Sequence, residues 1–153
     1  MNTRIDYRKA APDAFKAMLD LEAGVRRSGL EHVMLELMKM RASQINGCAY
    51  CLDMHSKDAR AAGETEQRLY LLSAWRETAF YSPRERAALA WTEAVTQVSM
   101  NELPDTLYAE VQAHFNEKEI VELTLAIIAI NGWNRLAIAF RPHVGSHVAK
   151  PIG

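Results

Sequence analysis

Apolar residues in this chain recur every three to four positions, in blocks that end at a glycine or proline, and they nowhere alternate with polar residues at hairpin spacing. The first period buries one face of a helix, whereas alternation buries one face of a strand. An all-α fold is expected: a single helical domain over residues 1–153, with about six to eight helices and oligomeric packing. Pro12 to Ser28 carries Phe15, Met18, Leu19, Leu21 and Val25 and stops at Gly29. Leu30 to Asn46 offers Val33, Met34, Leu37, Met40 and Ile45 as an inner face, and Gly47 breaks it. A third helix opens near Cys48 and ends at Gly63, and a fourth spans Thr65 to Trp75. Ser82-Pro83-Arg84-Glu85 reads as a capping box with proline at the first helical position. Pro104 to Phe115 and Glu117 to Ile130 follow, and Asn134 to Phe140 is expected as one more helix.

From Leu123 to Ile130 only Thr124 is polar. A helix apolar all round belongs in a core or in a subunit interface, and a helix that subunits also bury is the expectation here. The longest strictly apolar run, Leu125 to Ile130, is far short of a membrane span. The segment Ile45-Asn46-Gly47 recurs as Ile130-Asn131-Gly132. If the second half echoes the first, it lacks the cysteines, and Leu136 and Phe140 stand where Cys51 and His55 stand.

A formal net charge of −1 gives no electrostatic case for nucleic acid. The start, Met1 to Tyr7, has no apolar signal-peptide core, and two cysteines do not make a secreted disulfide scaffold. A soluble, cytoplasmic chain without membrane or nucleic-acid partners is expected.

The two cysteines sit at Cys48 and Cys51, where the third helix begins. The free N–H groups of a first helical turn favour a thiolate, the nucleophilic form. The i, i+3 spacing puts both sulfurs on one side of the turn, close enough for a disulfide. His55, four residues after Cys51, lies on the same face and can exchange a proton with that sulfur directly or through water. Glu36, on the preceding helix, can face back across a hairpin turned at Asn46-Gly47. Partial burial there is expected to raise its proton affinity, making it a base near neutral pH; a solvated surface carboxylate is the other reading. Tyr50 reads as an aromatic wall, with a minor role as a hydrogen-bond donor as the alternative. His32 and His114 read as surface or satisfied core residues.

Glu36, then Cys48-x-x-Cys51-x-x-x-His55 with Ile45-Asn46-Gly47 leading in, resembles the alkyl hydroperoxidase D-like branch of the carboxymuconolactone decarboxylase family. The stretches Glu85 to Glu93 and Ile130 to Arg135 add to a likeness that covers about residues 30–140. The resemblance implies an all-helical homo-oligomer, often a trimer or hexamer. It implies a thiol-dependent peroxidase for hydrogen peroxide or alkyl hydroperoxides, with Cys51 attacking, Cys48 resolving, and Glu36 and His55 as the proton relay. The best-known member has a relay histidine where this chain has Tyr50. The decarboxylase branch lacks the cysteine pair, so the pair argues against that reaction.

The residues themselves also separate the sulfurs: His55 stands at i+4 from Cys51, whereas Leu52 stands at i+4 from Cys48. The leaving alkoxide needs a proton, which favours Cys51 for attack. A dithiol reductant, such as a lipoyl or thioredoxin-like protein, is the expected partner. No cofactor is required, and no glycine-rich dinucleotide motif follows a strand. Two alternatives remain. One is a redox-sensing oligomeric scaffold without turnover. The other is structural zinc on Cys48, Cys51, His143 and His147, although 91 residues separate Cys51 from His143.

Overall fold

The computed structural model describes residues 2–149. In chain order they form α1 (Tyr7–Ala10), α2 (Pro12–Arg26), α3 (His32–Asn46), α4 (Ala49–Ala61), α5 (Glu66–Leu71) with a 3₁₀ turn (Leu72–Glu77), α6 (Pro83–Thr96), α7 (Asp105–Gln112) and α8 (Glu117–Phe140). No strand occurs among the described residues. The all-helical expectation holds, with eight α-helices among the described residues.

The centre of the molecule is α3, packed by α4, α6 and α8. Every residue from Met34 to Met40 is buried, so the helix is enclosed rather than lying with one face inward. Its polar residues Glu36 and Lys39, each 4% exposed, are carried into the interior with the apolar ones. Fully buried side chains such as Leu37, Leu123, Ile127 and Ile130 each contribute roughly 1.5–3 kcal/mol relative to exposure.

α3 stops where Gly47 takes a left-handed conformation at φ +69°. Its N–H reaches Gln44 O at 3.3 Å, and the Cys48 N–H reaches Ser43 O at 3.0 Å, closing the last turn. The next residue already caps α4, so the hairpin is tight. The Ser82 capping box is present, with the Glu85 N–H on Ser82 Oγ and the Ser82 N–H on Glu85 Oε2. A second capping box, Asn116 with Glu119, starts α8.

The largest departure from the sequence reading is α8. Where two helices are expected around Gly132, one helix of 24 residues runs through. Gly132 serves packing here: a Cβ on it would lie 2.9 Å from Met18 Cε, so its bare backbone lets α2 approach. Running through makes α8 the one described helix long and apolar enough, by length and composition, to cross a membrane. Its Ile120, Leu123, Ala126, Ile127, Ile130, Asn134 and Ala137 are nevertheless buried within the bundle. The opposite stripe, Val121, Leu125 and Ile128, is 41–59% exposed.

Beyond Arg141, itself left-handed at φ 56°, the chain folds back over α4. The Gly145 N–H donates to Asp53 Oδ2 at 3.1 Å, Lys57 Nζ donates to His147 O at 3.1 Å, and His147 Nε2 pairs with Asp58 Oδ1 at 2.7 Å.

Candidate active site

Cys48 occupies the N-cap of α4 in extended conformation, and its sulfur accepts the Cys51 N–H at 3.3 Å. Both thiols are free and each residue is 1% exposed. A hydrogen bond from the Cys51 thiol lowers Cys48 to about 7 against the opposing effect of burial; backbone N–H groups and the Asn134 side chain assist. The same bond, burial and the neighbouring Cys48 charge push Cys51 well above the ordinary thiol range. Of the two sulfurs Cys48 therefore ionises first, and the proton that remains is shared with Cys51.

Beneath the pair lies a polar network absent from the sequence reading. Asn134, fully buried on α8, donates to Ser43 Oγ at 3.0 Å and accepts from Asn46 Nδ2 at 2.8 Å. Ser43 Oγ in turn donates to Lys39 O at 2.8 Å.

Glu36 and His55, 19 residues apart, meet across the hairpin: Oε2 and Nδ1 are 2.7 Å apart, and both side chains are 6% exposed. A carboxylate accepts here, so Nδ1 carries the hydrogen and Nε2 is the ring atom left to take up or release a proton. That atom is buried and has no hydrogen-bond partner among the described residues. Burial raises the Glu36 carboxyl, but the hydrogen bond and charge of His55, with the charges of Lys39 and His32, hold it below its ordinary value. The expected rise in its proton affinity is thus corrected. Burial occurred, but it came with a hydrogen-bond donor and cations that favour the carboxylate. The surface-carboxylate reading is likewise overturned, because α3 is enclosed.

Lys39 Nζ lies 3.8 Å from Glu36 Oε1 and donates to Glu22 Oε1 at 2.7 Å. Glu22 Oε2 accepts from Trp133 Nε1 at 3.2 Å. Neither Lys39 nor Glu22 was found from the sequence. The available signal was a Glu36/Lys39 pair one turn apart in an otherwise apolar stretch.

These groups line a cavity of about 710 Å³, with Cys51 and His55 in its wall beside Tyr50 and the aromatic faces of Tyr7, Phe15 and Trp133. Cys48 is not part of the lining and sits behind it in the core. His55 thus shares the cavity with Cys51 but is turned by its Nδ1 to Glu36. Tyr50 is half-buried and packs against the core cluster.

The zinc alternative does not assemble. Cys48 and Cys51 lie at the start of α4, whereas His143 is exposed and His147 is paired with Asp58 toward the other end. Among the described residues the one set of ligand-type atoms within 4.8 Å of one another is Glu36, His55 and Asp58. Glu36 and His55 already satisfy each other, and Lys39 places a cation beside them, an arrangement suited to carrying protons.

The model of the carboxymuconolactone decarboxylase family matches residues 12–94. An uncharacterized protein of Bacillus subtilis, YdfG, is 48% identical over 139 residues, covering 91% of this chain and 95% of its own. A crystal structure from Agrobacterium tumefaciens, of a protein of unknown function described as a candidate antioxidant defence protein AhpD, superposes with a TM-score of 0.91. That match has 49% identity and covers 95% of this chain and all of the other. The debrominase Bmp8, solved with 2,3,4-tribromopyrrole, shares the fold with a TM-score of 0.77 at 20% identity, over 90% of this chain and 74% of its own.

Proposed function

This chain belongs to the carboxymuconolactone decarboxylase family, in its alkyl hydroperoxidase D-like branch, and from that premise we propose that it is a thiol-dependent peroxidase. Its substrates are hydrogen peroxide or alkyl hydroperoxides, reduced through a Cys48/Cys51 dithiol cycle. The observation that carries the reading is that Cys51 and the hydrogen-bonded Glu36–His55 pair open on one cavity.

The proton shared by the two sulfurs passes to Cys48, leaving the thiolate on Cys51, the sulfur with access to the cavity. Its attack breaks the O–O bond of ROOH and forms the sulfenic acid. The second proton of the dithiol is taken up by His55 Nε2, and the alkoxide leaves as ROH with that proton while Glu36 orients the ring through Nδ1. Cys48–SH then condenses with the sulfenic acid, forming the disulfide and water. A dithiol reductant, of lipoyl or thioredoxin type, restores both thiols and becomes a disulfide itself. Tyr50 serves as wall. The exposed stripe Val121, Leu125 and Ile128 supports a homo-oligomer; a trimer or hexamer in the cytoplasm is what the family resemblance suggests.

The test is peroxide consumption by the purified reduced protein with dihydrolipoamide or reduced thioredoxin. Many turnovers per chain are expected. A single oxidation with either reductant, accompanied by a change of oligomeric state, overturns the proposal in favour of a redox sensor.

A second reading rests on the cavity's size and aromatic walls, which have room for a ring. Two thiols can replace bromine on an aryl bromide by hydrogen, yielding a disulfide and HBr. Bromide release from 2,3,4-tribromopyrrole distinguishes this reaction from peroxide reduction.

A further inference from the structure

We infer that Lys39 is a positioning residue, holding Glu36 as a carboxylate on His55 Nδ1, and that Glu22 and Trp133 hold Lys39 in place. The role rests on the peroxidase reading for its consequence and on geometry for its existence. A lysine 4% exposed in the middle of an enclosed helix needs partners of opposite charge, because an unpaired buried charge is strongly destabilising. Lys39 has two, one on each side: Glu22 Oε1 at 2.7 Å from α2 and Glu36 Oε1 at 3.8 Å from its own helix.

Each carboxylate spends its other oxygen on a ring. Glu22 Oε2 takes the Trp133 N–H from α8, and Glu36 Oε2 takes the His55 Nδ1–H from α4. The result is one path, Trp133–Glu22–Lys39–Glu36–His55, across four helices. It ends at an imidazole nitrogen, Nε2, that is buried and unpaired beside the cavity.

The path matters because the state of Glu36 selects the free nitrogen of His55. A carboxylate only accepts, so Nδ1 keeps its hydrogen and Nε2 is the working atom. A protonated Glu36 donates to Nδ1 instead and reverses the tautomer. Charged and titratable groups reach this region from several sides: His32 on α3, Asp58 on α4, Tyr7 and Arg8 on α1, Arg26 on α2, and His147 after α8. Among the described residues, Lys39 is the permanently charged cation at ion-pair distance from Glu36. Without it, Glu22 and Glu36 become buried carboxylates with no lysine between them, and one takes up a proton.

The experiment compares wild type, Lys39→Met, Lys39→Arg and the double variant Glu22→Gln/Lys39→Met, which removes the stranded charge so that folding is retained. Two readouts are used: the pH profile of hydrogen peroxide consumption, and the hydrogen-bonded Nδ1–H resonance of ¹⁵N-labelled His55 in the reduced protein. In Lys39→Met and in the double variant, kcat/KM at neutral pH is expected to fall about 10-fold or more. The acid limb should move to higher pH and the Nδ1–H resonance should shift or vanish, while Lys39→Arg restores both. A folded double variant with the wild-type acid limb and an unchanged resonance overturns the inference. If even wild type consumes no peroxide, the peroxidase reading falls, and the resonance alone decides the role of Lys39.

Discussion

The segments Ile45-Asn46-Gly47 and Ile130-Asn131-Gly132 share three residues and end differently. Gly47 turns left-handed and terminates α3, and Cys48 at once caps a new helix. Gly132 stays helical and accommodates the end of Met18. A glycine permits a left-handed turn without requiring one; the outcome is set by what comes next and what packs against it. The copies also meet: Asn46 Nδ2 donates to Asn131 Oδ1 at 3.0 Å and to Asn134 Oδ1 at 2.8 Å. The first copy carries the reactive groups. The second supplies Asn134 beneath them and, at the position matching His55, Phe140, whose ring stacks 5.6 Å from Tyr7.

The largest effect separates the copies chemically. Cys51→Ser should consume peroxide no faster than an ordinary free thiol. Cys48→Ser should consume one equivalent and stop, leaving a sulfenic acid at Cys51 that dimedone traps for mass spectrometry. A fast Cys48 sulfenate in Cys51→Ser reverses the two roles. Glu36→Gln comes next: it keeps shape but not the base, and turnover should drop about 10²-fold with thiols still titratable. A variant within twofold of wild type removes Glu36 from the relay.

A smaller effect tests the support that the second copy gives the first. Absorbance at 240 nm should show one thiolate per reduced chain, with a midpoint of about 7 from the lowered Cys48. The thiolate is present above that pH and lost as pH falls through it. Asn134→Ala removes one of the groups that favour it, so the midpoint should rise; no movement argues that Asn134 only packs. The smallest effect compares the glycines by chemical denaturation. Gly47→Ala forces a left-handed alanine and should cost about 1–2 kcal/mol. Gly132→Ala gains up to about 1 kcal/mol of helix preference, set against displacing the flexible end of Met18, and should stay within about 1 kcal/mol of wild type. A larger loss at Gly132 than at Gly47 breaks the comparison.

The legible features are local ones. Gly47 before a capping residue, and Ser82 with Glu85 three positions on, signal helix ends through bonds made within a few residues. The continuity of α8 was not legible, because a glycine between two apolar stretches reads as a break, and the close packing of Gly132 on Met18 joins residues more than a hundred positions apart. Burial of Glu36 was open and its charge state was misjudged, because the sequence reading took no account of Lys39, an interior cation 3.8 Å from it.

By itself the sequence determined a set of helices and, at the start of one of them, Cys48, Cys51 and His55 at turn spacing. These follow from the period and capping of a single helix, which any short stretch carries in full. Only the tertiary structure decided that α3 is enclosed and that Glu36 meets His55. It also decided that Lys39 stands between two carboxylates, and that Cys51 rather than Cys48 opens on a cavity walled by Phe15 and Trp133. A helix's own period says which residues share a face. Which faces are covered, and by whose side chains, depends on the packing of α4, α6 and α8 around α3 and on the Glu22–Lys39 pair that joins α2 to it, contacts that no local pattern encodes.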